Sequence, residues 1–325
     1  MNNEDRLPRP LRGIIPPLVT SLSGPDVLDA AGLERLIEHV IAGGAAGLFL
    51  LGTTGEGPAL SGSVRREVID RACRQAALRV PVLVGITDSS LAEAAALAAF
   101  AADAGAHAVV AAGPIYFPAS QAELVDYFTS LAPRSPLPLV LYNMPSLTKV
   151  RIEADTVRRL MDVPTIAGIK DTSGDMILFH HLLTLARQRA DWTLLMGPEE
   201  LMAEGTLLGG HGGVCGGANL RPRLFVALYH AAAAGDLAEV RRLQALVLQL
   251  GRIYRVAGGA APYLRGLKAA LALEGICGDS LAEPFRPLDD VERERVRELV
   301  AGLDKALNDE LGQRSDGKRE PTRAL

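Results

Sequence analysis

Apolar residues recur along the chain in short unbroken runs, each closed by a turn and followed by a longer segment of helical periodicity. The runs are Gly13–Pro17, Gly47–Leu51, Val82–Gly85, Ala108–Ala111, Leu139–Tyr142, Thr165–Lys170, Thr193–Met196 and Gly212–Gly216. A strand with one face in water alternates apolar and polar side chains. A continuous run flanked by turns instead predicts a strand buried on both faces, as in a parallel sheet. The segments between the runs predict helices. Leu33, Leu36, Ile37, Val40 and Ile41 share one face, with Asp29 placed to cap it and Gly43 to stop it. Ser90 precedes an Ala-rich segment that ends at Gly105, and Ser120 stands three residues before Glu123, the spacing of a capping box. Eight strands alternating with helices predict an α/β protein, a (β/α)8 TIM barrel, whose reactive groups gather at the C-terminal ends of the strands. A doubly wound sheet is the alternative, yet neither G-x-G-x-x-G nor G-x-x-x-x-G-K-[ST] occurs.

After Arg221 the strand-like runs stop, and Pro222–Ala234, Asp236–Val256, Pro262–Leu273 and Asp289–Leu307 read as consecutive helices. The expected organisation is an N-terminal tail over 1–12, the barrel over 13–234, a C-terminal helical appendage over 235–312 and a disordered polar tail over 313–325. Of the 325 residues 48% are hydrophobic, enough for a large core and too many for a chain disordered throughout. Basic residues number 34 against 38 acidic, and the formal charge of −4 argues against nucleic acid as a partner. No run approaches the roughly 18 apolar residues of a membrane span. The opening MNNEDRLPRP lacks the apolar segment of a signal peptide. Cys73, Cys215 and Cys277 are odd in number and widely spaced, which suits a reducing cytoplasm better than a disulfide framework.

Reactive side chains should therefore be sought just past each run. Lys170, one of five lysines, terminates the sixth. In a partly desolvated cavity the neutral amine is favoured and can attack a ketone to form a Schiff base; an ion pair with Asp171, or a lysine reaching solvent, would account for it equally. Thr53 and Thr54, within Gly52–Gly57, follow the second run and form either a small carboxylate site or an ordinary turn. Tyr142 ends the fifth run, where a phenol can relay protons or simply wedge the strand end. Tyr116 follows the fourth. The six histidines form no H-E-x-x-H pattern, so no metal is expected.

Taken together, Gly52-Thr53-Thr54-Gly55-Glu56, Tyr142-Asn143-Met144-Pro145 and Gly168-Ile169-Lys170-Asp171 resemble the dihydrodipicolinate synthase/N-acetylneuraminate lyase family, with the likeness running from about Gly13 to Asp290. The resemblance implies a TIM barrel with C-terminal helices, a homotetramer, a lysine Schiff base with pyruvate or a 2-keto acid, and no cofactor. It implies that Lys170 is the Schiff-base lysine, Tyr142 the relay tyrosine and Tyr116 a loop tyrosine shared between subunits. Thr53 and Thr54 match the pair that binds the pyruvyl carboxylate and joins the relay, and Val214 matches an aliphatic residue whose backbone faces the site.

Leu147 stands where the synthase branch carries an arginine for the carboxylate of aspartate semialdehyde, and a leucine cannot form that charge-assisted pair. Pro114–Ser120 and the segment Lys170-Asp171-Thr172 look like the lyases and 2-keto-3-deoxy-sugar-acid aldolases. Glu199 and Glu200 sit where the sialic acid lyase binds sugar hydroxyls; they could equally decorate a first helical turn. Cys215 and Gly216 replace that lyase's Gly-Ser and remove a hydroxyl. The expectation is an aldolase of hydroxylated 2-keto acids. The alternatives are a 4-hydroxy-tetrahydrodipicolinate synthase, a 2-keto acid dehydratase or hydratase-aldolase, and a non-catalytic sugar-acid-binding paralogue.

Overall fold

The computed structural model describes residues 7–259 and 261–316. Eight parallel strands form the sheet: β1 (Gly13–Ile14), β2 (Leu48–Leu50), β3 (Val82–Gly85), β4 (Ala108–Ala112), β5 (Leu139–Asn143), β6 (Ile166–Asp171), β7 (Thr193–Met196) and β8 (Gly212–Gly213). From β2 onward each strand pairs with the next in sequence, and β8 pairs with β1. A bridge between Pro17 and Phe49 closes the ring, with Phe49 N donating to Pro16 O (3.0 Å) and Leu18 N to Phe49 O (2.8 Å). The fold is a (β/α)8 barrel.

Every residue of the eight strands is buried, and period-two alternation divides them between two cores. Leu48, Leu50, Val109, Leu139 and Leu141 point outward against the helices, while Phe49, Leu83, Val110, Val140 and Tyr142 fill the barrel. Both faces are apolar, which is why the runs are unbroken in sequence. Burying each such side chain stabilises the fold by about 1.5–3 kcal/mol. The helix starts follow local chemistry. Asp29 accepts from Gly32 N (2.9 Å), and Ser90 accepts from Glu93 N (3.3 Å). Ser120 and Glu123 form the reciprocal capping box.

The segment expected as an N-terminal tail is partly core. Residues 1–6 lie outside the described residues, but Leu7 and Leu11 are buried inside the barrel, and Leu11 N donates to Thr193 Oγ1 at the start of β7 (2.9 Å). This segment plugs the N-terminal mouth, where two leucines cover apolar surface that the short β1 leaves open.

The C-terminal region also departs from expectation. Its helices are Pro222–Ala233, Leu237–Leu250, Pro262–Leu273 and Asp290–Asp316. The helix expected to reach Val256 ends at Leu250, and a short 3-10 turn, Ile253–Arg255, follows Gly251. The last helix takes in residues 313–316, and the rest of the expected tail, 317–325, lies outside the described residues. The appendage also reaches the barrel mouth: the break after Leu250 turns Tyr254 toward it, and Lys268, fully buried, bonds to the loop after β2.

Candidate active site

Lys170 and Tyr142 come together through strand register. The two residues are paired across β5 and β6, and alternation points both into the barrel. Lys170 is 6% exposed, its Nζ 4.1 Å from the centre of the Tyr142 ring and 5.2 Å from that of Phe49. Aromatic faces attract a cation, so this setting suits an ammonium and equally a protonated imine formed from it.

The ion pair with Asp171 does not form. Alternation carries Asp171 to the other face, where it accepts from Asn143 Nδ2 (2.7 Å), Ser173 Oγ (2.9 Å) and Ser173 N (3.2 Å). Burial pushes this carboxyl above its ordinary range against the pull of those bonds. Asn143 also accepts from Ile152 N (2.9 Å), so the residues following Tyr142 and Lys170 clamp their two strands together.

The loop after β2 contributes two hydroxyls with different partners. Thr53 Oγ1 lies 3.1 Å from the Tyr142 hydroxyl, whereas Thr54 Oγ1 lies 3.0 Å from that of Tyr263. Thr53, rather than Thr54, is therefore in contact with the tyrosine expected to relay protons. Glu56, in the left-handed region at φ 55°, accepts from Lys268 Nζ (2.5 Å) and Ala282 N (2.7 Å), and Lys268 also donates to Ser280 O (2.6 Å). Burial pulls the Lys268 ammonium below its ordinary value even though Glu56 opposes this. The buried pair fastens the threonine loop to the C-terminal helices.

Past β7, Glu199 begins a 3-10 turn, yet its carboxyl is buried at the barrel mouth. Oε2 accepts from Gly217 N (2.7 Å) and Oε1 from the Tyr254 hydroxyl (2.8 Å). Burial raises its pKa to about 7 despite both bonds. Glu200 is half-buried and accepts through its backbone oxygen from Gln244 (2.8 Å).

These groups surround a cavity of about 210 Å³. Lys170, Tyr142, Thr53, Thr54, Thr172, Glu199, Glu200 and Val214 all line it. Two of the expected residues do not. Leu147 is 56% exposed and lines a smaller neighbouring hollow behind Thr53 and Tyr142. Tyr116 is 88% exposed, at φ 82°, with its ring edge-on to the equally outward Phe117 (5.0 Å). Within one chain it reaches nothing in the cavity.

Sequence reasoning missed Tyr254 and Tyr263, which also line the cavity. Their rings meet edge to face at 4.7 Å, and burial raises both phenols, so each is a neutral hydroxyl. Pro262 at the first position of its helix was legible as a helix start. No spacing in the chain, however, points from Tyr263 to Thr54, more than two hundred residues away.

A larger cavity, about 590 Å³, is lined by His39, Leu220, Arg221 and Asp304. Arg221 there is already paired with Asp304 (2.6 Å) and Glu274 (2.8 Å), and no Lys, Cys, Ser, Thr or Tyr lines it. Among the described residues no three His, Cys, Asp or Glu side chains are placed to hold a metal, and no helix is long and apolar enough to cross a membrane. His211 is structural, its Nδ1 accepting from Leu194 N (2.9 Å).

Comparison with known proteins finds relatives along nearly the whole chain. Residues 10–303 match the profile of the Dihydrodipicolinate synthetase family. The 4-hydroxy-tetrahydrodipicolinate synthase of Nitrosospira multiformis is 34% identical over 92% of this chain and 98% of its own. Escherichia coli YagE, provisionally assigned as a 2-dehydro-3-deoxy-D-gluconate aldolase, is 31% identical over 90% of this chain and 96% of its own. Its structure in complex with pyruvate superposes with a TM-score of 0.85, covering 90% of this chain and 98% of that one. The dihydrodipicolinate synthase structure from Bacteroides thetaiotaomicron gives 0.88 at 49% identity, covering 90% and 99%. The chain belongs to the dihydrodipicolinate synthetase family of pyruvate-dependent lyases.

Proposed function

We propose that this lyase cleaves, or in reverse forms, a hydroxylated 2-keto acid through a Schiff base on Lys170, releasing pyruvate and an aldehyde. The observation that carries the reading is the buried Lys170 amine over the Tyr142 ring, with the Tyr142 hydroxyl 3.1 Å from Thr53. The amine adds to the C2 ketone, and loss of water leaves a protonated imine. Scission of the C3–C4 bond sends its electron pair into that imine and leaves an enamine. Tyr142 takes the C4 hydroxyl proton while passing its own toward Thr53, and the aldehyde departs. The enamine then gains a proton at C3, and water hydrolyses the imine to free pyruvate and the lysine. Hydroxyls and N–H groups of the Thr53–Thr54 turn hold the pyruvyl carboxylate.

Two features favour a hydroxylated substrate over aspartate semialdehyde. Leu147 offers no cation, and Lys149 is turned to its own loop, its Nζ donating to Ser146 O (2.7 Å). Glu199 and Glu200 line the same cavity, where substrate hydroxyls can donate to carboxyl oxygens. The second reading is synthase chemistry, favoured by the names of several relatives, among them that of Nitrosospira multiformis. Three buried free cysteines support a reducing compartment such as the cytoplasm.

Borohydride with pyruvate should fix an adduct on the Lys170 peptide; labelling elsewhere, or none, removes the mechanism. Comparing kcat/KM for cleavage of hydroxylated 2-keto acids with that for condensation of pyruvate and aspartate semialdehyde then decides the branch. Efficient synthase activity that collapses in Lys149→Ala would establish the second reading.

A further inference from the structure

Gly216, on the cavity wall, and Gly217 beside it follow β8, and what occupies their side-chain positions is informative. A Cβ on Gly216 would lie 1.7 Å from the Tyr263 hydroxyl, and one on Gly217 would lie 2.6 Å from the Phe225 ring and 2.8 Å from the Tyr254 hydroxyl. The Tyr263 phenol thus projects from the C-terminal helical region into space that a side chain at position 216 would otherwise fill, with the Tyr254 hydroxyl close by. Tyr263 is held there from two directions, by Thr54 Oγ1 at 3.0 Å and by the edge-to-face contact with Tyr254, itself bonded to Glu199. One bond to Thr54 leaves a phenol with further hydrogen-bonding capacity. Among the described residues lining the cavity, Lys170 is the only cation. Once it forms an imine, no Lys, Arg or His remains there for a second carboxylate.

We propose that Tyr263 is a specificity-determining residue, its hydroxyl standing in for a side chain at position 216 and hydrogen-bonding a hydroxyl on the aldehyde-derived half of the substrate. The wall it forms with Tyr254 and Glu199 selects an uncharged, hydroxylated aldehyde fragment. This rests on the Lys170 imine and names the substrate class that the imine serves. It also explains the glycine at 216, because any larger residue would expel the phenol.

The test uses condensation of pyruvate with glyceraldehyde, with propanal, and with succinic semialdehyde as the carboxylated probe. Wild type should prefer glyceraldehyde to both. In Tyr263→Phe the ratio of kcat/KM for glyceraldehyde over propanal should fall about ten-fold or more, since a polar group is left without its partner. The exchange Gly216→Ser with Tyr263→Ala returns a hydroxyl to the same wall and should recover part of that ratio, whereas Tyr263→Ala alone should not. An unchanged ratio in Tyr263→Phe, or a preference for succinic semialdehyde in wild type, overturns the proposal. So does an enzyme that labels with pyruvate and borohydride but is inert to glyceraldehyde. Absence of labelling in wild type would instead strike the imine itself, so the two failures are distinguishable.

Discussion

Glu199 is the residue on which pH acts most directly. Its carboxyl titrates near 7 in the folded chain against an ordinary 4.5, because burial disfavours the anion. Between those values the folded chain holds a proton that the unfolded chain has lost, so stability declines as pH rises through that window and the loss is complete above it. Glu199→Gln removes the effect. The stability difference between variant and wild type, read by urea unfolding at about pH 5 and pH 8, should widen by up to about 3 kcal/mol in favour of the variant. An unchanged difference would mean that the carboxyl is not buried as described. His211 works in the opposite sense. Burial lowers its imidazole from 6.5 to about 4, so it costs stability as pH falls through that range in both proteins alike. At Tyr142 the change to Phe keeps the ring under Lys170 and removes the hydroxyl from Thr53. Turnover should drop about 10²–10⁴-fold with the urea midpoint nearly unmoved; near wild-type turnover would take Tyr142 out of the relay.

Among the elements, the buried Glu56–Lys268 pair fastens the loop after β2 to the helix Pro262–Leu273. Removing one partner leaves the other charge buried and unmatched, so Lys268→Met should destabilise the fold by about 3–5 kcal/mol. Glu56→Gln should cost a comparable amount, since one amide oxygen cannot serve both Lys268 Nζ and Ala282 N and the ammonium loses its counter-charge. Equal, small losses in denaturant titrations of both variants would show that the pair does not hold these elements together. Helix starts at Asp29, Ser90 and Ser120 were legible in the chain because a cap is completed within three residues of itself. The end of the helix at Leu250 was not. Apolar periodicity continues past Gly251, and only packing of Tyr254 against the barrel mouth settles where the chain turns.

For the molecule as a whole, Tyr116 and Phe117 form an exposed aromatic pair outside the cavity. We propose that they meet a second copy of the chain and that Tyr116 acts in the site of that copy. Sedimentation should then find a tetramer of the 34.4 kDa chain. Tyr116→Phe should lower turnover, and mixed assemblies of Tyr116→Phe with Lys170→Met should recover part of it, because each mixed pair retains one site with both groups intact. A monomer, or mixtures no more active than their parents, would place Tyr116 outside the chemistry.

What the sequence determined by itself was the order of the strands, the two-sided burial of each, and the strand ends that carry Thr53, Tyr142, Lys170 and Val214. These follow from local periodicity, since a buried parallel strand must be apolar throughout and its reactive residue must stand at its C-terminal end. Tertiary structure decided which hydroxyl meets which. Thr53 found Tyr142 through strand register, while Thr54 found Tyr263 through a helix whose place is set by the buried Glu56–Lys268 pair. It also made Leu7 and Leu11 core and left Leu147 outside the lysine cavity. Each of these contacts joins residues far apart in the chain, and no pattern along a sequence records a distance that only packing creates.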